Sequence, residues 1–288
     1  MPENEKNRVA FLSVLAAVFL TSFKLIVGLL TGSLGILSEA LHSGFDLVAA
    51  VITWFAVRLS DKPADKDHNY GHGKIENLSA LFETFLLLIT CVWIIYEAMS
   101  RLISGETHLE VTVWSYVVVI SSIVIDISRS RALRKMAIKH NSQALEADAL
   151  HFSTDIWSSL VVLFGLLGAQ FGFYMADSIA ALLVACIVIY VSYQLGKRSV
   201  NVLLDRVPDS VSGQIHEEIS KMDGVEYFHD LKVRSSGADI FVEVNIHVPP
   251  GMTTEQAHQI ATAVEKQLAQ KIPRTYVHVH VEPEAHRD

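Results

Sequence analysis

The 288-residue chain has only two cysteines and seven prolines, and charged residues make up 19% of it. Cys91 and Cys186 each sit inside an apolar run, where packing is the expected role rather than a disulfide or a metal pair. The net charge of −8, with no basic stripe to follow a phosphate backbone, excludes a nucleic-acid partner. A zinc-protease HExxH helix, a Gly-rich phosphate loop and a nucleophile–base arrangement are also missing, so an enzyme is not expected. Apolar residues, by contrast, make up 51% of the chain, and mean hydropathy is +0.35. That is too apolar for an ordinary soluble domain. The apolar residues crowd into positions 9–200, and the remainder reads as soluble. Histidine is the second excess, at thirteen, and imidazole suits zinc and its neighbours.

A spanning helix takes about 20 mostly apolar residues. Six are expected, at 9–30, 34–57, 78–99, 111–127, 144–171 and 175–195. The polar N-terminal segment has no small-residue cleavage site after the first run, so that run is expected to stay as a helix. The fourth span is short, because Asp126 and Arg129 intrude. The fifth carries Glu146, Asp148, His151 and Asp155 in its first half. Basic residues alternate between connections: Lys62 and Lys66 lie after span two, Arg131 and Lys135 after span four, and Lys197 and Arg198 after span six. The opposite connections hold only Arg101. By the positive-inside rule, both termini are expected in the cytoplasm of a cell with a bacterial-type inner membrane. The expected division is a six-helix membrane domain over 1–206 and a soluble domain over 207–288.

Ionisable groups at the centre of a membrane helix cost about 2.5–3.5 kcal/mol each, so they are kept where they pair, line a cavity or bind an ion. Here they repeat. Span two holds His42 and Asp46, and span five holds His151 and Asp155. Four-residue spacing puts each pair on one helix face. At ~1.5 Å per residue, both pairs lie roughly 11–18 Å into spans that run in opposite directions. All four therefore meet near mid-bilayer. Two imidazoles and two carboxylates suit tetrahedral zinc, and suit calcium or magnesium poorly. One such pair alone could be a polar contact within its own helix; the repeat at matching depth favours a site. Glu39 and Asp148, three residues ahead of each histidine on the same face, read as partners of the ligands or proton carriers, or, as expected from their place nearer the membrane edges, as solvated groups near a cavity mouth. Asp126 reads either as an ion-path residue or as the partner of a nearby arginine. Between spans two and three, Asp65, His68 and His72 have spacings that fit a small metal site, or simply a solvated loop.

In the soluble part the pattern predicts a helix over 210–221, strands over 225–234 and 239–248, a helix over 253–271 and a strand over 275–282. Residues 239–247 alternate with period two, and Thr253 with Gln256 forms a capping box. The expected order is αββαβ, with helices covering one sheet face. This part is rich in histidine: His216, His229, His247, His258, His278, His280 and His286. His278 and His280 are expected on opposite faces of the last strand, and His247 on the face of Asn245.

Three segments carry a likeness to a known family: SLGILSEALHSGFD ending at Asp46, PADKDHNYGHGKIE ending at Glu76, and EADALHFSTD ending at Asp155. With these in order, the whole chain resembles the cation diffusion facilitator family of metal/proton antiporters. The resemblance implies a homodimer in which each protomer exports metal from the cytoplasm in exchange for protons. It implies a transport site of His42, Asp46, His151 and Asp155 that prefers zinc, with iron, cobalt and cadmium left open as cargo. It assigns Asp65, His68 and His72 a second zinc site, and pairs Lys74 with Asp205 in a salt bridge between protomers or domains. It makes the soluble part a metallochaperone-like domain, in which His229, His258, His280 and Glu282 bind metal at the dimer contact. The chain departs from the family pattern there: Asn245 stands where a histidine is usual, and Glu282 replaces an aspartate. His247 is placed to substitute in part. The implied mechanism is alternating access, with metal and protons competing for the same ligands. A metal-sensing membrane protein without transport is the rival reading.

Overall fold

Long apolar runs almost free of proline become six long helices: α1 (Glu3–Thr31), α2 (Leu34–Ser60), α3 (Lys74–Ser104), α4 (Val113–His140), α5 (Gln143–Gln170) and α6 (Met175–Leu203). The computed structural model describes residues 3–31, 34–104, 113–170, 175–207 and 209–284. At ~1.5 Å per residue the helices are about 40–46 Å long, more than the ~30 Å hydrocarbon core of a bilayer. Among the described residues, Glu5–Thr31, Glu39–Ser60 and Lys74–Ser100 are long and apolar enough to cross a membrane. The expected outer connections, at 32–33, 105–112 and 171–174, lie outside the described residues, as does His286.

The chain divides into two compact units, Met1–Lys62 with Ile75–Val200, and Pro63–Lys74 with Asn201–Asp288. In the first, α1 packs on α2 and α4, and α5 packs on α2 and α4. Their shared core is rich in alanine, including Ala10, Ala17, Ala50, Ala137, Ala144 and Ala149, closed by Leu133 and Phe152. Small residues let membrane helices approach closely. The outward faces carry large exposed apolar side chains, including Phe19, Phe45, Trp93, Ile120, Trp157 and Tyr190. Such a surface suits lipid rather than water. Helix α4 runs on through Asp126 and Arg129 because the two pair with each other, Nη1 to Oδ1 at 3.3 Å, and both are buried. Cys91 is buried with Leu87 and Val188, as expected of a packed thiol. Cys186 is instead exposed on α6, so the packing expected of it fails.

The second unit holds α7 (Asp209–Ser220), β1 (Tyr227–Ser236), β2 (Asp239–Val248), α8 (Thr254–Lys271) and β3 (Thr275–Pro283). This is the expected αββαβ order. The sheet order is β1-β2-β3; β1 and β2 are antiparallel, and β3 returns parallel to β2 after α8. The capping box forms as predicted: Gln256 N donates to Thr253 Oγ1 at 3.2 Å, and Thr253 N donates to Gln256 Oε1 at 3.0 Å. Val242, Val244 and Ile246 of β2 bury against Ile215 and Ile219 of α7 and Val264 and Leu268 of α8. Alternation leaves Glu243, Asn245 and His247 on the open face. A bulge between His229 and Lys232, with Asp230 at φ 52°, switches the outward set of β1 from Tyr227 and His229 to Lys232 and Arg234. Val233 thereby stays in the core. Leu268 is fully buried. Truncation to alanine is expected to lower the opening free energy of the sheet by about 2–5 kcal/mol. Amide exchange of β2 and β3 in the purified protein measures it.

Residues 63–74, which the sequence assigns to the membrane domain, cluster with this unit. The Tyr70 ring meets Phe241 edge-on at 5.1 Å, and the Arg234 guanidinium stacks 3.7 Å from its centroid. Ser236 Oγ donates to the Tyr70 carbonyl at 3.4 Å.

Candidate metal sites

Helices α2 and α5 cross with His42, Asp46, His151 and Asp155 turned toward one another. His151 Nε2 lies 3.0 Å from Asp46 Oδ1 and 3.7 Å from Asp155 Oδ2. His42 Nε2 lies 3.7 Å from Asp155 Oδ1 and 3.9 Å from Asp46 Oδ1. Zinc bonds of 2.0–2.2 Å in a tetrahedron put neighbouring ligand atoms about 3.3–3.6 Å apart, inside the observed range. Ligand atoms of His42, Asp46 and Asp155 lie within 4.8 Å of one another. His151 touches both carboxylates but stands outside that trio, so closing a four-ligand shell brings the two imidazoles nearer. Asp46 and His151 are buried, while the His42 side chain, 37% exposed, is the open edge of the group. Oδ2 of Asp155 is buried without a hydrogen-bond partner.

Of the surrounding groups, Asp148 departs from expectation, while Glu39 and Asp126 acquire named partners. Asp148 is fully buried, with Oδ2 3.4 Å from Ser13 Oγ, so it is not a solvated group at a cavity mouth. Packing of α5 against α1 and α4 closes that position. Glu39 does face an opening, but Lys24 Nζ holds its Oε2 at 3.1 Å. Asp126, left open between two roles, has Arg129 as its partner. Lys24 is the residue missed by motif reading: a single lysine inside the first apolar run is the available signal. Glu83 is another, fully buried in α3 and accepting a hydrogen bond from Thr53.

In the second unit, Asp65 organises its own turn. Its Oδ1 accepts from the amides of His68 at 2.7 Å and Asp67 at 3.0 Å. The His68 amide first, and then that of Asp67, hold this carboxyl below the ordinary carboxylate range. Asp65 Oδ1 is 3.3 Å from His68 Nδ1, and Oδ2 is 3.5 Å from His72 Nε2. Ligand atoms of the three lie within 4.8 Å of one another, so the loop spacing yields a compact cluster. Lys74 Nζ reaches Asp205 Oδ1 at 2.8 Å within this same unit and chain.

On the open sheet face, Glu282 is the hub. Its Oε2 is 3.6 Å from His229 Nε2 and 3.6 Å from His247 Nε2, and its Oε1 is 3.5 Å from His280 Nε2. His229, His247 and Glu282 bring their ligand atoms within 4.8 Å of one another. Asn245 donates to Glu282 Oε1 at 3.3 Å, so it positions the carboxylate. His258 is exposed on α8 and stands outside this cluster. His278 and His280 are both exposed while Val277, Val279 and Val281 pack on the core. Residues two apart on a strand share a face, so the expectation that they point opposite ways is corrected: both belong to the open face.

A helical membrane unit that gathers two histidines and two aspartates in its interior, with a small αββαβ unit bearing further His/acid clusters, defines a membrane protein for metal cations. Residues 10–204 match the cation efflux transmembrane domain, and residues 207–284 match the cytoplasmic domain of cation efflux proteins. An uncharacterized transporter of Methanocaldococcus jannaschii, MJ0449, is 33% identical over 280 residues, which cover 96% of this chain and 99% of that one. The cation-efflux pump FieF of Serratia proteamaculans is 31% identical over 288 residues, covering 98% and 95%. FieF of Shewanella oneidensis is 30% identical over 272 residues, covering 94% and 92%. A nickel form of the MamM CTD is 34% identical and covers 27% of this chain and 100% of its own, with a TM-score of 0.26. The chain belongs to the cation diffusion facilitator family and is a cation-efflux transporter of the membrane.

Proposed function

We propose that the protein exports Zn²⁺ from the cytoplasm in exchange for protons, by alternating access, as a homodimer. The convergence of His42, Asp46, His151 and Asp155 inside the membrane unit carries this reading. An N₂O₂ set favours zinc over calcium and magnesium. Iron, cobalt and cadmium compete for the same set. Imidazole and carboxylate bind metal only when deprotonated, so protons arriving from outside displace the cargo. All six long helices span the membrane, with both termini in the cytoplasm; residues 1–206 form the transport domain and 207–288 the metal-binding and dimerisation domain. Asp65, His68 and His72 hold a resident zinc. His229, His247, His280 and Glu282 hold regulatory metal, joined by His258 at the dimer contact. Lys74 and Asp205 fix the loop against the residues that follow α6.

Proteoliposomes loaded with a zinc indicator test the transport reading. Zinc flux that rises with an imposed pH gradient and dissipates it is the expected result. Equal zinc flux without proton movement would describe a channel and overturn antiport. The loop site has its own test. Asp65→Asn weakens one ligand of three, and is expected to remove one zinc per chain from the purified protein. Elemental analysis after dialysis reads that loss, while flux through the α2–α5 site continues.

A further inference from the structure

Two buried cations line a cavity that is also lined by three of the four candidate ligands, His42, Asp46 and Asp155. Lys24 of α1 is buried, and its Nζ donates to Glu39 Oε2 at 3.1 Å and to Ser43 Oγ at 2.8 Å. Arg129 of α4 is buried as well, paired to Asp126 at 3.3 Å. Its Nη2 and Nε donate to Ser13 Oγ at 3.1 and 3.3 Å, and its guanidinium lies 3.4 Å over the Phe152 ring. Both cations are therefore fixed in place by neutral and charged partners together. The charged residues lining the cavity are Lys24, Glu39, Asp46, Asp126, Arg129 and Asp155. Four carboxylates face two cations. Glu39 and Asp126 are neutralised by Lys24 and Arg129. Among the described residues, Asp46 and Asp155 have only histidines as ion-pair partners.

We propose that Lys24 and Arg129 are built-in counter-cations that set the cavity at a net charge of minus two, the charge one divalent cation cancels. The inference rests on reading the α2–α5 quartet as the cargo site. With neutral imidazoles, one divalent ion brings the cavity to zero; a monovalent ion leaves it at minus one. Uncompensated charge is costly where water is scarce, so the counter-cations make divalency itself a condition of tight binding. They also set how strongly the cavity holds its cargo. Without Lys24 the cavity would stand at minus three and release a divalent ion reluctantly.

The test is equilibrium zinc binding to the purified full-length protein, following the binding component that Asp155→Ala removes. Glu39→Gln takes the cavity to minus one and is expected to weaken that component by at least about 10- to 100-fold, the effect that one charge a few ångströms from a divalent ion has even in a water-like dielectric. Lys24→Gln takes it to minus three and is expected to tighten binding by a similar factor. The double variant Lys24→Gln/Glu39→Gln restores minus two, and its affinity returns to within about twofold of the unaltered protein. Asp126→Asn, at the other pair, weakens binding as Glu39→Gln does; it carries the same test should Glu39→Gln fail to fold. Glu39→Gln and Asp126→Asn both within twofold of the unaltered protein, or Lys24→Gln weakening the component, overturns the counter-cation role. An unaltered protein with no Asp155-dependent component instead overturns the cargo site itself.

Discussion

Replacing Asp155 with alanine is expected to abolish the proposed zinc flux in proteoliposomes, and replacing Asp46 is expected to do the same. Each removal takes one of the four proposed ligands and leaves two histidines facing a single carboxylate, across 3.0 and 3.9 Å for Asp46 and 3.7 Å for Asp155. Loss of a partner in the outer shell of a metal site typically costs about 10- to 100-fold. Loss of a ligand is expected to cost at least about 100-fold. Asp155 is the sharper case, because its Oδ2 is buried with no hydrogen-bond donor and is free to take a cation. Packing predicts little damage to the fold. The group lies beside a cavity, and the α2–α5 contact is backed by the alanine-rich core that includes Ala50 and Ala149. Flux at the unaltered rate in either variant would disprove the site. The radiotracer or indicator assay should be accompanied by gel filtration, so that lost flux is read from folded protein.

The two His–Asp pairs were legible in the sequence because helical periodicity is a local rule: spacing of four fixes a shared face whatever the neighbours are. The soluble elements were legible for the same reason, from period-two alternation and a capping box. What lay beyond local rules was pairing between elements. Lys24 needs Glu39 and Ser43 on another helix, and Asp148 needs the closure of α1 over α5 by Ser13. Periodicity gives a face and leaves open what covers that face, so Asp148 reads as solvated until the helices are packed. Cys186 is the converse case: its apolar neighbourhood in sequence is an exposed helix face in space. In the sheet, a bulge at Asp230 changes which residues of β1 point outward, and no alternation pattern across it could show that. The hub role of Glu282 has the same origin. It depends on parallel pairing of His247 with Glu282 and Asn245 with His280.

Gly73→Ala is expected to undock the 63–74 segment and empty the proposed loop zinc site, though Asp65, His68 and His72 are untouched. A Cβ at position 73 would stand 2.3 Å from the carbonyl oxygen of Ser236 and 2.6 Å from its carbonyl carbon. Those are backbone atoms at the end of β1, and Ser236 pairs with Asp239 across the hairpin, so neither can swing aside as a side-chain tip can. Gly237, with φ 61°, holds the turn itself, and its backbone nitrogen would stand 2.9 Å from the same Cβ. Overpacking of this kind typically costs about 1–3 kcal/mol. The contacts that hold the segment include Tyr70 on Phe241 and Arg234, the Ser236 hydrogen bond to the Tyr70 carbonyl and the Lys74–Asp205 pair, and a cost of that size is expected to release its Tyr70 end from the hairpin. Limited proteolysis should then cut within 63–74 in the variant and spare it in the unaltered protein, with one zinc fewer per chain. Gly213 is the matched control. It sits in α7 with open space around its Cβ position, and alanine there is expected to stabilise by about 0.5–1 kcal/mol. A Gly73→Ala protein that keeps its zinc and its protease resistance would show that the segment reaches the hairpin by a different path.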